Sequence, residues 1–144
     1  MVNEKKIQND ILDFLKTIGL LVFPIQNAGV YDQIKKIYRR PPKHFRPGIS
    51  DIIGMLPSGK LLAIEVKAPK GKPTPDQLKF LVDVQGSLGV AFISRSVWQT
   101  YSQLLPFWPE IKHYESIALR YKKMDEMKEN SWEPKKSLPK NEQN

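Results

Sequence analysis

Two β-rich runs, Asp51 to Leu56 and Lys60 to Lys67, are separated only by Pro57, Ser58 and Gly59, and this spacing constrains the fold more than any other feature of the chain. Pro57 and Ser58 suit a type I turn and Gly59 suits the left-handed position after it, so the runs read as an antiparallel hairpin. That register sets Leu56 opposite Lys60, and therefore Asp51 opposite Glu65. In the second run Leu62, Ile64 and Val66 share one face, while Leu61, Ala63, Glu65 and Lys67 share the other. Both faces are largely apolar, which predicts a central strand covered on both sides.

After the loop from Ala68 to Pro73, Thr74 suits an N-cap, Pro75 the first helical position and Gln77 the third, which together form a capping box. Leu78, Leu81 and Val82, with Leu88 beyond them, give this helix an apolar stripe, and Gly86 or Gly89 can end it. Val90 to Ser94 reads as a buried strand. Lys60 to Ser94 is then a strand–helix–strand unit with parallel strands, so the sheet is mixed. Upstream, Ile7, Ile11, Phe14, Leu15 and Ile18 recur at helical spacing and predict a helix from about Glu4 to Ile18, capped by Asn3 and ended by Gly19. Leu20 to Gln26 reads as a strand, and Pro24 places it at an edge or a bulge. Ser96 can cap a further helix that turns Val97, Tyr101, Leu104 and Leu105 inward, and another covers roughly Ser116 to Lys128.

A chain of 144 residues with 40% hydrophobic content allows one core. At this size a domain buries roughly 70% of the surface its unfolded chain exposes, so folding needs neither disulfide nor structural metal. One domain is expected over residues 1–129, with 130–144 a basic, disordered tail that has little to bury. The absence of cysteine excludes disulfide scaffolds, zinc-finger and iron–sulfur sites and thiol catalysis. Ile18 to Pro24, the longest apolar stretch, is far short of the ~20 residues of a membrane span, and the N-terminal MVNEKK is no secretion signal. The expectation is an intracellular, unsecreted protein without a membrane partner, acting in the cytoplasm of a host cell or at the nucleoid.

Lys and Arg outnumber Asp and Glu by 23 to 15, for a net charge of +8. This favours polyanionic partners, nucleic acid above all. Within residues 27–49, which show no long periodic segment, Lys35, Lys36, Arg39, Arg40, Lys43 and Arg46 occur without an intervening carboxylate. Tyr38, His44 and Phe45 lie among them, a mixture suited to phosphates and exposed bases; a solvated loop is the plainer alternative.

Asp51, Glu65 and Lys67 carry the chemistry. A buried central strand has no structural use for a carboxylate and an ammonium two residues apart on one face, because each costs several kcal/mol to desolvate unless paired or metal-bound. The hairpin register adds a second carboxylate. Such a pair suits a hard divalent cation, with Lys67 orienting water or screening phosphate charge. By spacing alone, this reading and a structural Glu65–Lys67 pair at a strand end stand level.

The ordered set G48-I-S-D51, E65-V-K67-A and G71-K-P-T-P-D-Q77 resembles the VRR-NUC family, the virus-type replication and repair nucleases of the PD-(D/E)XK superfamily. The resemblance runs from about Glu4 to Val97. It implies an α/β fold, a restriction-endonuclease-like mixed β-sheet flanked by helices. It further implies a metal-dependent, structure-selective endonuclease using Mg2+ or Mn2+ on branched DNA such as Holliday junctions in DNA repair, and acting as a homodimer. Asp51 and Glu65 would be the metal-binding acids, the Val66 carbonyl a further ligand and Lys67 the catalytic lysine. Gln77 would help line the site, although the capping box explains it equally well. Glu4 would be the acid of the first helix, or else an N-terminal glutamate favoured by the helix dipole. Ser50 departs from the pattern, in which proline often precedes the aspartate. A non-catalytic nucleic-acid-binding module that retains the fold is the alternative from another class.

Lys70 and Lys72 flank Gly71 just past the site, where they suit phosphate contacts, though exposure alone also explains them. His44 and His113 have no cysteine or acid at ligand spacing and read as surface residues. Trp98 and Trp108 read as core or interface anchors.

Overall fold

The Asn3 side chain accepts a hydrogen bond from the Lys5 N–H at 2.8 Å and starts helix α1 (Glu4–Thr17). The computed structural model of the protein describes residues 3–26, 31–38 and 42–131, with the backbone alone at 31, 32, 37 and 38. After α1 come strands β1 (Leu21–Pro24), β2 (Tyr31–Asp32), β3 (Ile37–Tyr38), β4 (Ile52–Met55) and β5 (Leu61–Val66). Helix α2 (Pro75–Gly86), strand β6 (Val90–Ser94), helix α3 (Val97–Leu104), a 3-10 turn (Pro109–Tyr114) and helix α4 (Glu115–Asn130) complete the order. The tail expected from 130 onward lies outside the described residues from 132, and α4 itself reaches Asn130.

The main sheet runs β1-β4-β5-β6. β1–β4 and β4–β5 are antiparallel and β5–β6 is parallel, so the mixed sheet expected from the strand–helix–strand unit is present. The hairpin register holds: Ile52 faces Ile64, and Leu56 N–H donates to the Lys60 carbonyl at 2.9 Å. Gly59 takes φ +88°, as the turn requires. Pro24 lies on edge strand β1, where a missing N–H leaves no ladder bond unmade. At the opposite edge, the Gln85 and Gln103 side-chain amides donate to the Ala91 and Ile93 carbonyls at 2.8 and 2.9 Å, which blunts β6 as a template for further strands.

Leu62, Ile64 and Val66 join a large core with α1, α3, Ile111 and Ala118. On the opposite face Ala63 and Ala91 pack against Leu81 and Val84 of α2. This corrects the expected α2 stripe: Leu81 is buried, but Leu78, Val82 and Leu88 are exposed and Val84 takes the inward place. Both stripes satisfy helical spacing, and the small alanines beneath admit the turn that Leu81 and Val84 present. Trp98 and Trp108 pack partly buried against the core, and Trp98 also carries Lys122 over its ring at 4.9 Å. Among the described residues, no helix is long and apolar enough to cross a membrane.

Candidate active site

β5 is apolar on both faces until its C-terminal end, where Glu65 is completely buried, with 0% of its surface exposed. Continuing the β4–β5 register by one pair sets Asp51 across from it. Asp51 Oδ2 accepts the Val66 N–H at 2.8 Å, a bond that ties its carboxylate to the end of the neighbouring strand. Lys67 follows on the same face as Glu65. Its Nζ lies 3.4 Å from Glu65 Oε1 and 3.8 Å from Glu4 Oε1. The ammonium thus sits between two carboxylates from different elements, one buried and one half exposed. At 3.4 Å the Glu65–Lys67 contact is an ion pair without hydrogen-bond geometry, and both Glu65 oxygens lack a hydrogen-bond partner among the described residues. Burial, and then the negative charge of Asp51, push the Glu65 carboxyl from the ordinary 4.5 to about 8, against the opposing pull of Lys67.

Helix α1 holds this end of the sheet. Glu4 reaches Lys67, and one turn later the Gln8 side-chain amide donates to the Asp51 carbonyl at 3.3 Å. The Ile25 N–H donates to the same carbonyl at 2.8 Å, so Asp51 is fixed from both the helix and the edge strand. Gly48, with φ +77°, passes so close to α2 that a Cβ would stand 2.4 Å from the Asp76 carbonyl carbon. Gly48 thereby locks the approach to Asp51 against the start of α2. Arg95 donates to the Gly71 carbonyl at 2.7 Å and braces the loop that carries Lys70 and Lys72, both exposed. The roles of Gln8, Gly48 and Arg95 were not foreseen; Gly48 alone had a signal, its place at the head of the G-I-S-D run.

Glu4, Asp51, Glu65 and Lys67 are therefore brought together. Gln77 forms the capping box, its Oε1 accepting the Thr74 N–H at 2.8 Å, which commits that oxygen to the cap. Lys35, Lys36 and Lys43 are exposed, whereas Arg46 pairs with Asp83 at 2.5 Å and stacks over Phe80, joined to α2. Arg39 and Arg40 lie outside the described residues. His44 and His113 are exposed, and among the described residues no cluster of three or more His, Cys, Asp or Glu is gathered as for a metal ion.

The chemistry open to such a site follows from its donors. Two carboxylates meet, one of them buried with both oxygens unsatisfied, and a lysine stands beside them. This donor set fits Mg2+ or Mn2+, which need only one or two protein carboxylates and keep water in the rest of the shell.

Residues 25–98, just over half of the chain, match the family model described as the VRR-NUC domain. Over 79 residues, 55% of this chain and 68% of the relative, the sequence is 28% identical to "Putative nuclease p44" of Acyrthosiphon pisum secondary endosymbiont phage 1. No solved structure matches the chain. The matched family segment contains Asp51, Glu65, Lys67 and Gln77 but not Glu4, which joins the cluster by folding alone.

Proposed function

Since the chain belongs to the VRR-NUC family of nucleases, we propose that it is a divalent-metal-dependent endonuclease that hydrolyses phosphodiester bonds in DNA at the Asp51–Glu65–Lys67 site. The observation that carries this reading is the buried Glu65 carboxyl, without a hydrogen bond at either oxygen and ion-paired only with Lys67 among the described residues, across from a second carboxylate. An apolar strand would be more stable without it, so its presence calls for a ligand.

Asp51 and Glu65 would hold Mg2+ or Mn2+, with the Val66 carbonyl as a further ligand. Such a cation supplies Lewis acidity, which strengthens water as a nucleophile at neutral pH and offsets negative charge on phosphate oxygens. Lys67, preorganised between Glu65 and Glu4, stabilises the negative charge that builds on the phosphate as water adds and the sugar oxygen leaves. Glu4 orients that ammonium and keeps it from collapsing fully onto Glu65. Lys70 and Lys72 suit flanking phosphates, and Arg95 holds their loop in place.

The substrate class we propose is branched DNA, four-way junctions included, cut by a homodimer whose two sites meet two strands. A single small sheet domain is better suited to reading the shape of DNA than its base sequence. Incubating the protein with labelled linear, nicked, flapped and four-way DNA in Mg2+, Mn2+ or EDTA tests both parts. The expected result is cleavage only with metal and fastest at branches. Binding without cleavage in any metal would point to a non-catalytic module, and equal cutting of linear duplex would remove the structural selectivity.

A further inference from the structure

The insertion between β1 and β4 leaves the sheet at Pro24 and returns at Asp51, and the Ile25 N–H bonded to the Asp51 carbonyl joins its two roots. It therefore springs from the end of the sheet that carries the candidate active site. Within it β2 and β3 pair as a short antiparallel ribbon, Tyr31 with Tyr38 and Asp32 with Ile37. The turn at its tip is Gln33-Ile34-Lys35-Lys36, all four exposed.

Two features of this tip run against ordinary turn chemistry. Tight turns favour Gly, Asn, Asp and Ser, which accept left-handed backbone or bond to it locally. Here Lys36 takes φ +51°, a conformation that costs a residue with a Cβ. Beside it Ile34 is 95% exposed, the most exposed large apolar side chain described. Scattered surface hydrophobics need no explanation, but a β-branched apolar residue held outward by a paired ribbon and followed by two cations is a directed arrangement.

We propose that Ile34 is a wedge that inserts between unstacked bases at a discontinuity in DNA, while Lys35 and Lys36 engage the flanking phosphates. The ligand class follows from the chemistry. An apolar side chain fits between base faces and opens a step, and ammonium groups next to it suit the backbone on either side. A branch point already has lost stacking there, so insertion disturbs less pairing than in continuous duplex. The inference rests on the nuclease reading and deepens it: the wedge would select the branched substrates cut at the adjoining site.

The test uses a four-way junction carrying 2-aminopurine at the branch point, with the full chain in EDTA so that unstacking is read without cleavage. Wild type should raise 2-aminopurine fluorescence several-fold at saturation. Ile34→Ser should lose most of that rise while its Kd weakens by less than about tenfold, because phosphate contacts carry most of the affinity. Ile34→Leu should restore the rise, and Lys35→Ala with Lys36→Ala should weaken binding yet retain it at saturation. An Ile34→Ser protein that saturates with the wild-type rise overturns the wedge. Cleavage of the same junction by wild type in Mg2+ is scored separately: cutting with an unchanged Ile34→Ser signal defeats the wedge alone, and failure to bind any DNA defeats both readings.

Discussion

Glu65 is the residue at which stability and the proposed function pull apart. Its carboxyl stands at about 8 in the folded protein against 4.5 for an ordinary glutamate, because burial and Asp51 disfavour the charge. Between those two values the folded state holds a proton that the unfolded chain has released, so the metal-free protein loses stability as pH rises through that window. Below about pH 4.5 both states hold the proton; above about 8 both have released it and the loss is complete. Thermal unfolding in EDTA should accordingly show a Tm that falls from pH 5 to pH 8, and Glu65→Gln should flatten that slope and melt higher than wild type at pH 8. An identical slope in the variant would mean that Glu65 is not the group that titrates. If the proposed mechanism holds, Lys67 separates catalysis from binding: Lys67→Ala should lower the single-turnover rate by at least ~100-fold, the scale of losing one preorganised charge-stabilising group, with little change in DNA affinity. Lys67→Arg should not restore it, since a planar guanidinium does not reproduce a compact ammonium held between two carboxylates. A Lys67→Ala protein that cuts normally at saturation but binds weakly would make Lys67 a DNA anchor only. At this scale the Asp51–Glu65 pair was legible, because a three-residue turn fixes the register by counting. The partnership of Glu4 with Lys67 was not, because 63 positions and all of β1 to β5 lie between them and only the docking of α1 joins them.

The elements converge on the site through backbone contacts as well as through side chains. The Gly48 backbone lies against the first turn of α2, so that helix and the Asp51 loop are placed together. Gly48→Ala must both strain a left-handed φ and drive a Cβ into the α2 backbone, and should destabilise by roughly 2–4 kcal/mol. Gly59→Ala has the strain without the collision, since nothing lies within 4 Å of its Cβ, and should cost only about 1 kcal/mol. Urea unfolding measures the two side by side, and equal midpoints would refute the packing argument. The hairpin, the capping box at Thr74 and the parallel β5–β6 pair could all be read in advance because each is fixed by local chemistry within a few residues. The inward face of α2 could not. Leu78, Leu81 and Val82 make as good a stripe as Leu81 and Val84, and only the alanines at 63 and 91 decide between them. Likewise β2 and β3, two residues each, are too short for any periodicity to announce.

Across the whole molecule, one sheet covered on both faces delivers the only buried carboxylate among the described residues to the end where α1, the open end of the β4–β5 hairpin and the Lys70–Lys72 loop meet. The +8 net charge supplies non-specific attraction to a polyanion, which by itself distinguishes neither a cutter from a binder nor one DNA shape from another. Composition could indicate the partner class, and the motif set the family, but the convergence of charged groups on one sheet end is a property of the assembled fold. In the proposed function the Asp51–Glu65 pair is a cleavage centre and not a remnant. The most direct measurement is the single-turnover cleavage rate of Glu65→Gln at saturating DNA, taken beside its Kd and its Tm. The predicted result is cleavage below detection, with DNA affinity within about threefold of wild type, since lysine–phosphate contacts persist, and a fold at least as stable. Cleavage by Glu65→Gln at the wild-type rate would contradict it.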